Sequence, residues 1–366
     1  MKKKIALALL AVWLLAAVLL PGSTRAGSGL EILSSSAVMD FPYHMIFSIS
    51  AESDAEINDI RLLYTVERME IAKVVSEIYI QFMPGRSVDA DWVWDMRKTG
   101  GLPPGSSIDY WWTVTDADGQ KTETAPLTVD IEDERYNWNT LTEGNIVLKW
   151  YEGGEDFAGE LMDATRDALA LLEDNTGAEL EDEICIYIYA SSQDLRGSMI
   201  YPQEWTGGVA FTRYGVIAIG ISPTENSMAW GKRAIAHELT HLVIHRVTLN
   251  PYNNLPTWLD EGLAMSSEGD LEPGFVSALE SVGSDDDFIT VRSLASPFSV
   301  YAGESMLAYA ESYVIVSYLI EEFGRDKMFE LLNVFHEGGG YDDALLSVYG
   351  FDMDGLNALW QEYYRN

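Results

Sequence analysis

The stretch His237-Glu238-Leu239-Thr240-His241 constrains this chain more than any other part of it. Ala234, Ile235, Leu239, Leu242 and Val243 form an apolar stripe at helical spacing, uninterrupted by Pro or Gly, so the stretch reads as an amphipathic helix. On a helix His237 and His241 lie one turn apart on one face, with Cβ atoms about 5 to 6 Å apart, which lets two imidazoles reach a single Zn²⁺. Glu238 would then stand beside the metal, where a carboxylate can take a proton from a metal-activated water and pass it on. The bland alternative is a helix that carries two histidines by accident. Against it, three of the five histidines (His44, His237, His241, His245 and His336) fall within nine residues.

A catalytic zinc site uses three protein ligands and keeps one position open. The metzincin pattern would need Gly at 244 and His at 247, where this chain has Ile244 and Val247. His245 lies two turns from His237, about 12 Å along the axis, so one ion cannot join all three histidines of a continuous helix. It is expected near the C-terminal dipole of the helix, or touching a ligand from outside.

Pro256-Thr-Trp-Leu-Asp-Glu-Gly-Leu-Ala264 follows the loop Asn250-Pro-Tyr-Asn-Asn-Leu-Pro256. With the histidine pair, Trp258, Leu259, Glu261, Gly262 and Ala264 resemble the gluzincins of the peptidase MA clan, in which a W-L-x-E-G-x-A helix follows H-E-x-x-H by about twenty residues. The resemblance implies that Glu261 is the third ligand of one Zn²⁺ per chain and that Glu238 is the general base. Downstream, Leu307 to Gly324 looks like the clan's helix that carries a tyrosine over the metal. Tyr309 falls at that position, and its hydroxyl would stabilise the oxyanion. A packed aromatic is the competing reading, because Tyr313 and Tyr318 share the stretch.

The G-x-M-E-N strand of the aminopeptidase branch is missing. Residues 206–223 read instead as two short strands joined at Arg213-Tyr214-Gly215, with Val216 to Ile221 as an edge strand. An edge beside the metal helix can pair with an extended peptide, which favours endopeptidase over exopeptidase action.

Met1-Lys-Lys-Lys4 followed by the uncharged run 5–20 and small residues up to Ala26 reads as a secretory signal peptide over residues 1–26, or as an uncleaved N-terminal anchor. Both readings place the rest of the chain outside the cytoplasm, secreted or membrane-anchored through residues 5–20. Removing residues 1–26, which carry Lys2, Lys3, Lys4 and Arg25, takes the formal charge from −35 to −39. Such a surface repels nucleic acid and anionic membrane, so neither is expected as a partner. The single cysteine, Cys185, excludes an intramolecular disulfide and reads as a buried thiol in an apolar strand.

Residues 27–134 show a period of two, in segments such as Met45 to Ala51, Ile60 to Thr65, Glu77 to Phe82, Trp92 to Met96, Ile108 to Thr115 and Leu127 to Ile131. Six or seven short strands predict an all-β immunoglobulin-like sandwich. Trp92, Trp94, Tyr110, Trp111 and Trp112 could bind a glycan or peptide, with at least half of them expected in the core. Asp116-Ala-Asp-Gly119 has a trace of a calcium loop but reads more simply as a hairpin turn. Arg135 to Asn139 reads as a linker. Over residues 140–366 strands and helices alternate and then give way to helices at Leu307 to Phe323, Asp326 to His336, Tyr341 to Tyr349 and Met353 to Tyr364. The family resemblance implies an α+β zincin-like metallopeptidase domain here, a small sheet plus a helical half.

The expected function is an exported zinc-dependent metallopeptidase acting on peptides or proteins. Two alternatives stay open at this point: a cell-surface binding protein whose zinc site catalyses weakly or not at all, and a zinc hydrolase of a non-peptide amide or ester.

Overall fold

The computed structural model describes residues 29–69, 71–204, 206–283, 288–299 and 301–365. The signal or anchor expected over residues 1–26 lies outside them, as does the acidic run 284–287. Among the described residues no helix is long and apolar enough to cross a membrane.

The first part is a seven-stranded antiparallel sheet of β1 (Glu31–Asp40), β2 (His44–Val66), β3 (Ser76–Tyr79), β4 (Gly85–Asp95), β5 (Ser107–Asp116), β6 (Lys121–Glu123) and β7 (Leu127–Asp130). The two segments read as separate strands, Met45 to Ala51 and Ile60 to Thr65, are one continuous strand. The first half of β2 pairs with β1 and β4, and its second half pairs with β3 and β5. Pairing is irregular between Glu52 and Ile57, where Glu52, Asp54 and Glu56 interrupt the apolar alternation. Both halves bury their apolar faces in one core, with the Phe47 and Tyr110 rings 5.0 Å apart. Trp94, Tyr110 and Trp112 belong to that core, while Trp92 and Trp111 are half-buried. At the β5–β6 turn the Asp116 carboxylate accepts from the Ser53 hydroxyl and the Asp118 and Gln120 amides. It caps the hairpin turn with oxygens that a calcium loop would have to present to the ion.

The segment read as a linker is packed. Tyr136 and Trp138 enter an aromatic cluster with Tyr151, Tyr187 and Tyr189, and Asn139 already begins β8 (Asn139–Glu143). Arg135 binds the fully buried Asp133 at 2.6 Å and donates to the Gly197 carbonyl at 2.9 Å.

The second sheet has the order β11-β12-β10-β9-β8 and comprises β9 (Ile146–Trp150), β10 (Ile184–Tyr189), β11 (Gly208–Phe211) and β12 (Val216–Gly220) besides β8. The three inner strands run parallel, with antiparallel strands at both edges. β10 and β12 are apolar at nearly every position because both their faces are covered. One face meets α1 (Glu155–Thr176) and α3 (Glu225–Val247); the other meets the aromatic cluster and Leu195 of α2 (Ser192–Arg196). The expected edge strand Val216 to Ile221 is therefore corrected. It is buried between β10 and β11, and the edge is β11. Cys185 lies in β10, where burial pushes its thiol up to about 11.

The helical half contains α4 (Thr257–Ser267), α5 (Pro273–Glu280), α6 (Val291–Leu294), α7 (Ala302–Phe323), α8 (Arg325–His336), α9 (Tyr341–Tyr349) and α10 (Met353–Arg365). α4 lies against α7 so closely that a Cβ on Gly262 would come within 2.4 Å of the Ser312 carbonyl oxygen. Only glycine fits there, and the contact fixes α4, and Glu261 on it, against α7.

Glu311 of α7 is fully buried, and its carboxylate accepts from the Ile289 amide. Burial, weakly offset by that amide, pushes it up to about 8. Because the folded value lies above the unfolded one, the fold is favoured while Glu311 keeps its proton and loses stability as pH rises from about 4.5 through 8. The shift corresponds to an upper limit of about 5 kcal/mol. Glu311→Gln should therefore melt several degrees above the wild type at pH 8 and show a smaller advantage at pH 5. Melting curves at the two pH values check this, and equal differences would show that the carboxyl does not titrate with folding.

Candidate metal centre

Three helices and one strand converge on the centre. α3 brings His237, Glu238 and His241, because Ile235, Ala236, Leu239, Leu242 and Val243 turn its opposite side into the core. α4 brings Asp260 and Glu261, held by the buried Trp258, Leu259 and Leu263. α7 brings Tyr309, and β11 passes along the side of Glu238.

The Nε2 atoms of His237 and His241 lie 3.1 Å apart, and each is 3.5 Å from Oε2 of Glu261. These side chains are only 14 to 19% exposed. The other nitrogen of each ring is engaged: His237 Nδ1 meets Glu268 at 2.8 Å and His241 Nδ1 meets Asp260 at 2.8 Å. With Nδ1 of each ring donating to a carboxylate, both Nε2 lone pairs face one point, a repulsive arrangement unless a cation lies between them. Glu261 Oε2 is buried and has no hydrogen-bond partner. In a tetrahedral zinc site two imidazole nitrogens stand about 3.3 Å apart, so the donor set fits the ion.

The electrostatics agree. Burial disfavours charge on both imidazoles, but Glu261 and Glu268 outweigh it and hold His237 up at about 9. Burial is likewise outweighed for His241, which Asp260 and Glu261 raise well above the usual range. Burial also works against Glu261, yet His237 and His241 bring it down to about 2. Without metal the pocket gathers protons, which are the cations a metal would displace.

Glu238 is not among these three converging groups. Burial raises its pKa, against the pull of the neighbouring His237 and His241. A Cβ on Gly208 would fall 2.8 Å from Glu238 Oε1, so glycine lets the strand pass this close. Tyr309 lines the same cleft, where burial and then the nearby carboxylate of Glu261 raise its hydroxyl. The Phe298 ring meets it edge-on at 5.1 Å. Tyr318, by contrast, is a core residue that packs 5.2 Å from Tyr363.

His245 does not reach the three converging groups. Its Nε2 meets Asp260 at 2.8 Å, on the oxygen not used by His241. His241, His245 and Asp260 thus form a second cluster with metal-binding atoms, sharing one histidine with the first. Burial works against charge on Asp260, but His241 and His245 hold it far below the carboxylate range. Sequence reasoning missed Asp260 and Glu268. Their signal was available: Asp260 adjoins Glu261, and Glu268 lies seven residues on, two helical turns along the same face.

The cleft is about 540 Å³, bounded by Met199 to Gln203, Thr206 to Val209, Trp230, Arg233, His237, Glu238, Glu268 and Tyr309. Gly220 donates to the Gly207 carbonyl at 2.9 Å, and Gly208 pairs with Ile219. By antiparallel alternation, Gly208 and Ala210 turn their amide and carbonyl groups away from β12.

A family model of the peptidase MA superfamily matches residues 164–366. No curated protein matches the chain. Among solved structures, an aminopeptidase A from Legionella pneumophila in complex with aspartic acid is 12% identical, with 91% of this chain and 50% of that one covered at a TM-score of 0.41. An M1 zinc metallopeptidase from Deinococcus radiodurans is 13% identical, with 91% and 94% covered at 0.37. Catalytically inactive OgpA from Akkermansia muciniphila, crystallised with an O-glycopeptide, is 12% identical, with 29% and 30% covered at 0.21. The match therefore spans less than a third of the Akkermansia chain.

Proposed function

From membership of the peptidase MA superfamily, to which this chain belongs, we propose that it is a zinc-dependent metallopeptidase that cleaves within peptides outside the cytoplasm. The observation that carries the reading is the convergence of two imidazole nitrogens and an unpartnered buried carboxylate oxygen on one point, with Glu238 beside it. His237, His241 and Glu261 would hold the ion. When bound, zinc supplies Lewis-acid activation of water and of the scissile carbonyl.

Glu238 takes the proton of the attacking water and delivers it to the leaving amine. Its raised pKa suits both halves of that task. Asp260 and Glu268 fix the ring orientations of His241 and His237. Tyr309 donates its hydroxyl hydrogen to the oxyanion. Its raised pKa keeps that proton in place at neutral pH. The outward amide and carbonyl groups of β11 support pairing with an extended substrate, hence endopeptidase action. Domain bounds of 27–134 and 140–366, an immunoglobulin-like character for the first unit, and a signal or anchor over residues 1–26 complete the proposal. An intact Glu238 disfavours a purely structural zinc, which has no use for a general base.

Tyr309→Phe should keep zinc and melting temperature while lowering kcat by about 10²- to 10³-fold, with a smaller change in KM. A fully active Tyr309→Phe would remove the residue from the site. The function as a whole is tested by mass-spectrometric mapping of a peptide library after incubation with zinc-loaded, chelated and zinc-restored protein. Internal cleavages that disappear with chelation and return with zinc support it; cleavage that persists in the chelated protein, or no cleavage by the loaded one, overturns it.

A further inference from the structure

Away from the histidines the cleft changes character. Its far wall includes Met199, Tyr201, Val209 and Trp230, with Tyr201 79% and Trp230 43% exposed. Tyr201 has φ of 51°, and among the described residues it is the one non-glycine with positive φ. That conformation is strained for a bulky L-residue. Packing of the ring does not repay the strain, because most of the ring lies in solvent.

The surroundings impose it instead. Ile200, the preceding residue, packs against the core of the N-terminal sheet. It lies against Gly101, where a Cβ would come within 2.8 Å of Ile200 Cγ1. Upstream, Arg135 grips the Gly197 carbonyl at 2.9 Å, and Arg196 reaches the Thr206 carbonyl at 3.3 Å. The N-terminal sheet thus supports one wall of the cleft, where Ile200 is partly buried against it and Tyr201, the next residue, is exposed.

Trp230 lies two turns before His237 on α3, with its ring edge over Gly207, where a Cβ would be 3.0 Å away. It therefore sits at the start of β11, the strand whose free edge faces the cleft. Two aromatic rings, a thioether and a valine offer apolar faces to whatever leaves the metal end along that edge.

Resting on the peptidase reading, we infer that Tyr201 is a substrate-contacting residue that selects peptides with a bulky apolar side chain near the cleaved bond, and that the N-terminal sheet holds it in place. Strain retained at an exposed cleft residue is then explained by recognition. Glycine adopts this φ freely, so Tyr201→Gly separates recognition from packing.

The experiment measures kcat/KM for matched peptides carrying Phe, Leu or Ala near the cleaved bond, with wild type, Tyr201→Gly and Tyr201→Ala, alongside melting temperatures. The wild type should prefer Phe and Leu. In both variants the ratio of Phe or Leu to Ala should fall at least tenfold, mainly through KM, and Tyr201→Gly should melt no lower than the wild type. A wild type without the preference, or variants that keep it, overturns the inference and leaves the peptidase reading standing. A Tyr201→Gly protein that keeps the preference and melts several degrees lower assigns the residue to packing. A zinc-loaded wild type that cleaves no peptide overturns the peptidase reading, and this inference with it.

Discussion

Glu261→Ala is expected to release zinc under conditions that saturate the wild type. Its Oε2 is buried, has no hydrogen-bond partner and stands 3.5 Å from both Nε2 atoms, and among the described residues it completes the ligand group with His237 and His241. The loss of affinity should exceed the roughly 10- to 100-fold that removing a partner of a ligand costs. His245→Ala gives the contrast. His245 touches Asp260 and not the metal point, so its loss should cost no more than about tenfold. Competition with a chromogenic chelator measures both. If His245→Ala strips the metal and Glu261→Ala does not, the ion sits in the second cluster and the gluzincin assignment is wrong.

Among variants that keep the metal, Glu238→Gln should have the largest effect on turnover, lowering kcat by about 10²- to 10⁴-fold with zinc affinity and KM little changed. The amide keeps the shape of the carboxylate beside Gly208. What goes is the basic oxygen. Single-turnover kinetics on an internally cleaved peptide, with zinc content measured on the same sample, checks this. A variant that retains a tenth or more of the wild-type rate would mean another group takes the proton.

The metal helix was readable because His237, Glu238 and His241 are adjacent in sequence, and one helical turn is all the geometry they need. Glu261 came from the W-L-x-E-G-x-A resemblance. The structure supplies the reason for its glycine, since the contact of Gly262 with Ser312 joins residues fifty positions apart. The late helices fell within a few residues of their observed bounds because each has an apolar stripe of helical period. Strands fared worse. β1 and β8 are largely unburied along their length and carry little alternation to read. The continuity of β2 through Glu52, Asp54 and Glu56 depends on partners that local sequence does not specify. Whether β11 or β12 forms the edge is likewise decided by tertiary pairing, as β10 takes the other side of β12. The strain at Tyr201 was invisible for the same reason: it adjoins Ile200, whose contact with Gly101 joins residues far apart in sequence.

Zinc K-edge X-ray absorption on the purified, zinc-loaded chain tests the centre itself, with Glu261→Ala and His245→Ala as companions. The expected spectrum is four-coordinate, with two imidazole nitrogens and oxygen ligands at about 2.0 to 2.2 Å. It should be unchanged by His245→Ala and lost or reorganised in Glu261→Ala. A three-imidazole spectrum that loses one nitrogen in His245→Ala, or a chain that retains no zinc after dialysis, would contradict the site and the peptidase reading built on it.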